Sequence, residues 1–266
     1  MIDFKNVSFG YQKQAGTIHE VSFHVNKGEF AAIIGSNGAG KTTVSKLTMG
    51  LLKPTEGTVT VAGLDTRKAK VSQIASHVGF LFQNPDRQIC QGTVREEIAF
   101  GLKMVSHKSE EEINEKVEEV INTYGFRGED APFSLSRGER QRVALASLIA
   151  LSPEILILDE PTTGLDYKEC MQMMHAIQQL NAKGVTVLMV CHDMEVVLDF
   201  ADRVLVMAQG KVIADDSARA IFRNPKAMEA ASVLPPQIIQ LSMNLGGMFA
   251  EADHVSDMVR LLKQNA

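Results

Sequence analysis

The chain has 266 residues, enough to bury a core without disulfide or metal staples and to form one large or two small domains. Its composition, 45% hydrophobic and 22% charged, excludes the disordered and fibrous classes. Lys and Arg total 27 against 32 Asp and Glu, and the net charge of −5 argues against holding nucleic acid through diffuse positive charge. No stretch approaches the roughly 20 apolar residues of a bilayer span. The start, MIDFKNVSFGY, lacks the apolar run and small-residue cleavage site of a signal peptide. Cys90, Cys170 and Cys191 are dispersed and form no CxxC, which reads as reduced thiols in an intracellular protein.

Ile2, Phe4, Val7 and Phe9, then Ile18, Val21, Phe23 and Val25, alternate as strands do. Lys27-Gly28 turns the chain into a wholly apolar strand, Phe30–Ile34. A glycine-rich turn follows, then a helix from about Lys41 to Leu51, ended by Pro54 and Gly57. Thr58–Val61 and Val78–Phe82 read as further strands. Thr93 to Tyr124 is helical and charged, with a capping box from Ser109 to Glu112 and apolar Ile113, Val117, Val120, Ile121 and Tyr124 at helical spacing. After Pro132 come a helix over Gly138–Ala150, strand Ile155–Leu158, helix Tyr167–Ala182 and strand Val185–Val190. Helix Met194–Phe200, strand Val204–Met207, a Gln209-Gly210 turn and strand Lys211–Ala214 follow. This alternation predicts an α/β fold with a largely parallel sheet covered on both faces. Beyond Asn224-Pro225 the pattern weakens to two short amphipathic pieces, Gln237–Leu245 and His254–Lys263. Met171, Met173 and Met174 read as gap-fillers of the core.

The chemistry gathers at four strand ends. Gly35 to Thr42 fits GxxxxGK[ST], directly after a buried strand and directly before a helix. The glycines let successive N–H groups turn inward onto phosphate oxygens, and the helix N-terminus adds its positive end. Lys41 supplies a point charge for phosphates, and the Thr42 hydroxyl can ligate Mg²⁺. Ile155–Leu158 ends in Asp159 and Glu160, at the sheet edge where open α/β sheets bind ligands. Asp159 suits the Mg²⁺ shell, and Glu160 is placed to polarise an attacking water. One strand later the same edge receives His192, within reach of a phosphate or of that water. Gln83 ends another strand and can coordinate Mg²⁺ or water. Tyr11 can stack on an adenine face or simply pack in the core.

Taken in this order, the motifs resemble the ATP-binding subunits of ABC transporters. Tyr11 matches the adenine-stacking position, Gly35–Thr42 the Walker A loop, Gln83 the Q-loop, Ile155–Glu160 Walker B, Gly164-Leu165-Asp166 the D-loop and His192 the switch histidine. Leu135-Ser136-Arg137-Gly138-Glu139 stands where the family has LSGGQ, with Arg137 in place of the first glycine and Glu139 in place of the glutamine. The resemblance implies a P-loop NTPase core with an N-terminal antiparallel β subdomain, a helical subdomain at about 84–150 and a C-terminal extension over 226–266, the ATPase domain covering 1–225. It implies ATP and Mg²⁺ as ligands. Nucleotide contacts would come from Tyr11, from Gly35, Ser36, Asn37, Gly38, Ala39, Gly40, Lys41, Thr42 and Thr43, and from Ser136, Gly138 and Asp166. Mg²⁺ would be held by Thr42, Gln83 and Asp159, while Glu160, His192 and Gln83 serve catalysis. Ser136 and Gly138 would complete the site of a second ATPase subunit, identical or paralogous. An acid at position 139 is expected to point away or to pair with Arg137 or Arg140.

Gln83-Asn84-Pro85-Asp86-Arg87-Gln88 is similar to a segment of the energy-coupling factor (ECF) transporter ATPases, as are Thr93–Gly101 and Leu234-Pro235-Pro236. That likeness implies an importer of vitamins or metal ions. A transmembrane T component would dock at Asn84–Gln88, with a substrate-binding S component reached indirectly and the ATPase on the cytoplasmic face of the membrane. A general ABC importer or exporter is the alternative, and a soluble ABC clamp a further one.

Overall fold

The computed structural model describes residues 1–11, 17–106 and 108–264. Strands β1 (Ile2–Phe9) and β2 (Ile18–Val25) pair antiparallel with Phe4 opposite Phe23, as their alternation predicts. Strand β3 (Phe30–Ile34) is buried throughout and leads to helix α1 (Lys41–Thr48). That helix stops short of Leu51, because Gly50 at φ +67° takes the left-handed conformation that ends helices. Strands β4 (Glu56–Val61) and β5 (Leu64–Asp65), helix α2 (Val71–Ala75) and strand β6 (Val78–Leu81) follow. The charged helical stretch is two helices, α3 (Val94–Val105) and α4 (Glu110–Tyr124), each opened by a capping box. Next come α5 (Arg137–Ala150), β7 (Ile155–Asp159), α6 (Tyr167–Ala182), β8 (Thr186–Val190) and α7 (Met194–Phe200). Strands β9 (Arg203–Ala208) and β10 (Lys211–Ser217) turn back at Gln209-Gly210, the second running three residues beyond its expected end. Helices α8 (Ala218–Phe222), α9 (Pro225–Ala231), α10 (Gln237–Leu245) and α11 (Val255–Gln264) complete the described chain. The short elements β5, α2, α8 and α9 give no period long enough to read from sequence.

Two sheets result, β2-β1-β4-β5 and β10-β9-β3-β8-β7-β6. In the second, β9, β3, β8, β7 and β6 run parallel and β10 antiparallel. Successive residues of β3 face opposite layers, as a period of two requires. Phe30, Ala32 and Ile34 join a core with α5, α6 and α7, while Ala31 and Ile33 join one with α1 and the antiparallel sheet. Both faces are therefore covered, and near-continuous apolar runs such as ILIL in β7 follow from that burial. Met173 and Met174 are buried in the first of these cores.

A third, smaller core lies among α3, α4 and α5. Helix α5 belongs to two cores at once, with Val143 and Ala146 in the helical one and Ala144 and Leu145 against the sheet. Helix α9 and Ile239 of α10 pack into the sheet's core, so residues 225–239 share that core. No helix among the described residues is long and apolar enough to cross a membrane.

Candidate functional site

The parallel strands deliver the site. Strand β3 ends at Ile34 and the loop Gly35–Gly40 carries the chain to α1. Glycine is required at Gly35, where a Cβ would lie 2.1 Å from the Met207 carbonyl oxygen. It is required again at Gly40, which caps α1 at φ +105° with the Ile18 side chain 2.6 Å from where a Cβ would stand. Gly40 offers no side-chain cap, so the first amides of α1, which lack intrahelical acceptors, remain for a ligand. Lys41 Nζ donates to Gly35 O at 2.8 Å and Ser36 O at 3.0 Å, which holds the ammonium over the loop. Burial lowers the affinity of Lys41 for its proton, and the charges of Glu160 and Asp159 oppose that.

Asp159 ends β7 beneath the loop, and the Thr42 hydroxyl donates to its Oδ1 at 3.4 Å. Burial first, and the Glu160 charge second, hold the Asp159 carboxyl above its ordinary range. The Asp159 carboxylate has one long hydroxyl contact and no ion pair among the described residues, and a hydroxyl beside a carboxylate is the oxygen donor set that Mg²⁺ prefers. Thr42 and Asp159 therefore fit the cation.

Glu160 follows with φ +52°, an uncommon conformation for a residue with a side chain, and its N–H donates to Val190 O at 2.9 Å. Strain of about 1–3 kcal/mol at such a residue concentrates at functional sites. Three side chains converge on its carboxylate. His192 Nε2 lies 2.5 Å from Oε1, Gln83 Nε2 donates to Oε2, and Thr163 Oγ1 donates to Oε2 at 3.2 Å. Gln83, Glu160 and His192 thus meet, each just past the end of a parallel strand. The bond of Gln83 goes to Glu160, and among the described residues none joins it to Thr42 or Asp159. Thr163 was not marked by the sequence, since a threonine in a turn carries no signal of its own. Beside this group lies a cleft of about 550 Å³, lined by Glu160, Thr163 and His192 together with Leu234, Pro235 and Gln237. Tyr11, 41% exposed, sets its ring edge-on to Phe9 at 4.9 Å. It is not buried in the core.

Ser136 and Gly138 stand elsewhere. Ser136 caps α5: its Oγ accepts from Glu139 N at 3.2 Å, and Glu139 Oε2 accepts from Ser136 N at 2.8 Å. Of the two expectations for Glu139, the pairing with Arg137 or Arg140 is not met among the described residues; its carboxylate folds back onto the helix end, because a glutamate three residues after a serine cap closes a capping box. The Ser136 amide holds the Glu139 carboxyl below its ordinary range. Arg140 instead meets Asp86 at 2.8 Å. Asp166 is engaged likewise, capping α6 by accepting from Glu169 N at 2.7 Å. Gly138 is closed off by Glu169, whose Oε1 lies 2.2 Å from where a Cβ would stand, and the Arg137 guanidinium lies against Gly164. The serine-capped helix end and the Gly164–Asp166 turn therefore form one surface. Among the described residues no hydrogen bond or ion pair joins Ser136, Gly138 or Asp166 to the phosphate loop.

Comparison with known proteins agrees with this geometry. The family model described as ABC transporter matches residues 18–163. A putative ABC transporter ATP-binding protein of Caldanaerobacter subterraneus subsp. tengcongensis is 43% identical over 99% of this chain and 46% of its own length. The chain thus spans about half the length of the first curated relatives it matches. The energy-coupling factor transporter ATP-binding protein EcfA of Methanothermobacter thermautotrophicus is 38% identical over 91% of this chain and 78% of its own. Among solved structures, cbiO1 of Clostridium perfringens, part of the ABC transporter complex cbiONQ, superposes with a TM-score of 0.76 at 27% identity, covering 86% of this chain and 92% of that one.

Proposed function

Because the chain belongs to the ABC transporter family, we propose that it binds Mg-ATP, hydrolyses it, and so powers an ECF-type importer. The observation that carries the catalytic part is the convergence of Gln83 and His192 on Glu160 beside the phosphate loop. Lys41 and the loop amides hold the phosphates. Thr42 and Asp159 hold Mg²⁺, which when bound offsets phosphate charge. Glu160 orients the attacking water, and His192 and Gln83 fix the carboxylate that does so. In-line displacement at phosphorus needs little beyond such positioning and charge stabilisation. Tyr11 stacks on the base.

The separation of Ser136 and Gly138 from the phosphate loop supports a second subunit, whose nucleotide they would cover. One chain then holds an incomplete site, and closure of the pair is the step that ATP favours. The ECF assignment rests on the Gln83–Gln88 segment and on the likeness to EcfA, a relative named for such a system. It places the chain on the cytoplasmic face of a membrane, with Asn84–Gln88 docked on a T component, an S component selecting the vitamin or metal ion, and residues 226–266 aiding assembly.

The catalytic reading is tested by Glu160→Gln. Turnover should fall at least 100-fold while nucleotide affinity persists, as measured by phosphate release and by calorimetric titration; unchanged turnover removes Glu160 from its role. The ECF reading is tested by mass spectrometry of the membrane complex that co-purifies with the chain. Recovery of a conventional permease without a T component would replace it with the general ABC alternative.

A further inference from the structure

Helix α7 begins two residues after His192, and Asp193 between them caps it by accepting from Glu195 N at 3.0 Å and Val196 N at 3.3 Å. Met194, Val196, Val197 and Phe200 bury one face of this helix in the core. Glu195 and Asp199, four residues apart, share the other face. Both of these acids meet the C-terminal segment. Glu195 Oε1 accepts from Gln237 N, the first amide of α10, at 2.7 Å. Asp199 Oδ1 lies 3.6 Å from Nδ1 of His254, which precedes α11. Helix α10 has Pro236 at its cap and no capping side chain of its own, so Glu195 supplies the anionic acceptor its first turn lacks. The same segment, through Leu234, Pro235 and Gln237, walls the cleft beside Glu160.

We propose that Glu195 is a positioning residue for His192, and that through it the C-terminal segment sets the geometry of the His192–Glu160 pair. This rests on the ATPase reading above. The sheet fixes His192 from one side, through β8. On the other side its elbow is fixed only as firmly as α7, and α7 is tied at Glu195 and Asp199 to α10 and the start of α11. Whatever moves that segment, a second copy of the chain or a membrane subunit, would be read out at the catalytic carboxylate.

Two substitutions cut the tie from its two ends. Glu195→Ala removes the acceptor. Gln237→Pro removes the donor N–H, at the first helical position, where proline is well tolerated, and Gln237→Ala, which keeps the N–H and loses the same side chain from the cleft wall, should leave kcat and the His192 ring unchanged. Glu195→Ala and Gln237→Pro should each lower kcat about 5-fold, within the range by which such coupling residues act at a distance, and leave KM for Mg-ATP within 2-fold. The double variant should lose no more than either single one, because both break one bond. Glu195→Gln, whose amide oxygen still accepts, should recover most of the loss. Unchanged kcat in both variants, losses that multiply, or a loss confined to KM would overturn the link. A second readout needs no turnover: the His192 ring resonances in the NMR spectrum should shift in Gln237→Pro, and an unmoved ring would overturn the link. A wild-type chain that hydrolyses nothing would instead overturn the ATPase reading, with the ring resonance still deciding the link.

Discussion

The first turns of α1 and α5 both present backbone amides that need an acceptor, and the two ends are finished in opposite ways. At α1 the cap is Gly40, with no side chain to offer, and the nearby Lys41 ammonium is held by loop carbonyls. At α5 the cap is Ser136, and Glu139 closes a capping box around it. The first end is an anion site formed in advance and left open. At the second, the capping box takes up the Ser136 and Glu139 amides, so a phosphate arriving at Ser136 would compete with bonds that the chain already makes. On the proposed reading, the uncapped end holds nucleotide within the chain and the capped end serves a neighbour's.

Three substitutions test that contrast. Lys41→Ala should have the largest effect, weakening Mg-ATP binding by about 3 kcal/mol, or roughly 100-fold, in calorimetric titration. A loss below threefold would mean that the open end of α1 is not the phosphate site. Gly40→Ala should come next. At φ +105° with Ile18 in the way, an added methyl should cost about 2 kcal/mol in urea unfolding and distort the loop. Full stability would show that α1 can start with an ordinary residue.

Glu139→Ala should be the mildest, costing about 1 kcal/mol or less in the same assay while leaving the affinity of a single chain for Mg-ATP intact. A large loss of affinity would erase the distinction between the two ends. Acid sharpens this case. The folded pKa of Glu139 is depressed by the Ser136 amide, so its contribution is present above the ordinary carboxylate range and lost as pH falls through the lowered value. Glu139→Gln should flatten that part of the stability profile.

The long elements were legible because their burial writes a period into the chain. Strand β3 and helix α6 stand at the bounds their patterns predict. Helix α10 does so as well. The phosphate loop was legible because glycines at Gly35 and Gly40 answer local demands of φ and space. The capping box at Ser136 follows the same spacing as the one at Ser109, yet it was not read for Glu139, since Arg137 and Arg140 offered competing partners. Which partner wins depends on where Asp86 and Gly164 arrive, and they come from other elements.

The amino-acid sequence by itself determined the fold class, the phosphate loop, and the three strand ends that carry Gln83, Asp159-Glu160 and His192. Those features show as a repeating apolar pattern or as a fixed spacing of residue types along the chain. Only the tertiary structure decided that Thr163 joins Gln83 and His192 on Glu160, and that Glu195 meets Gln237, 42 residues away. A single hydrogen bond between distant elements leaves no period and no spacing. Its partners are chosen when the sheet order and the course of the last helices bring them within reach.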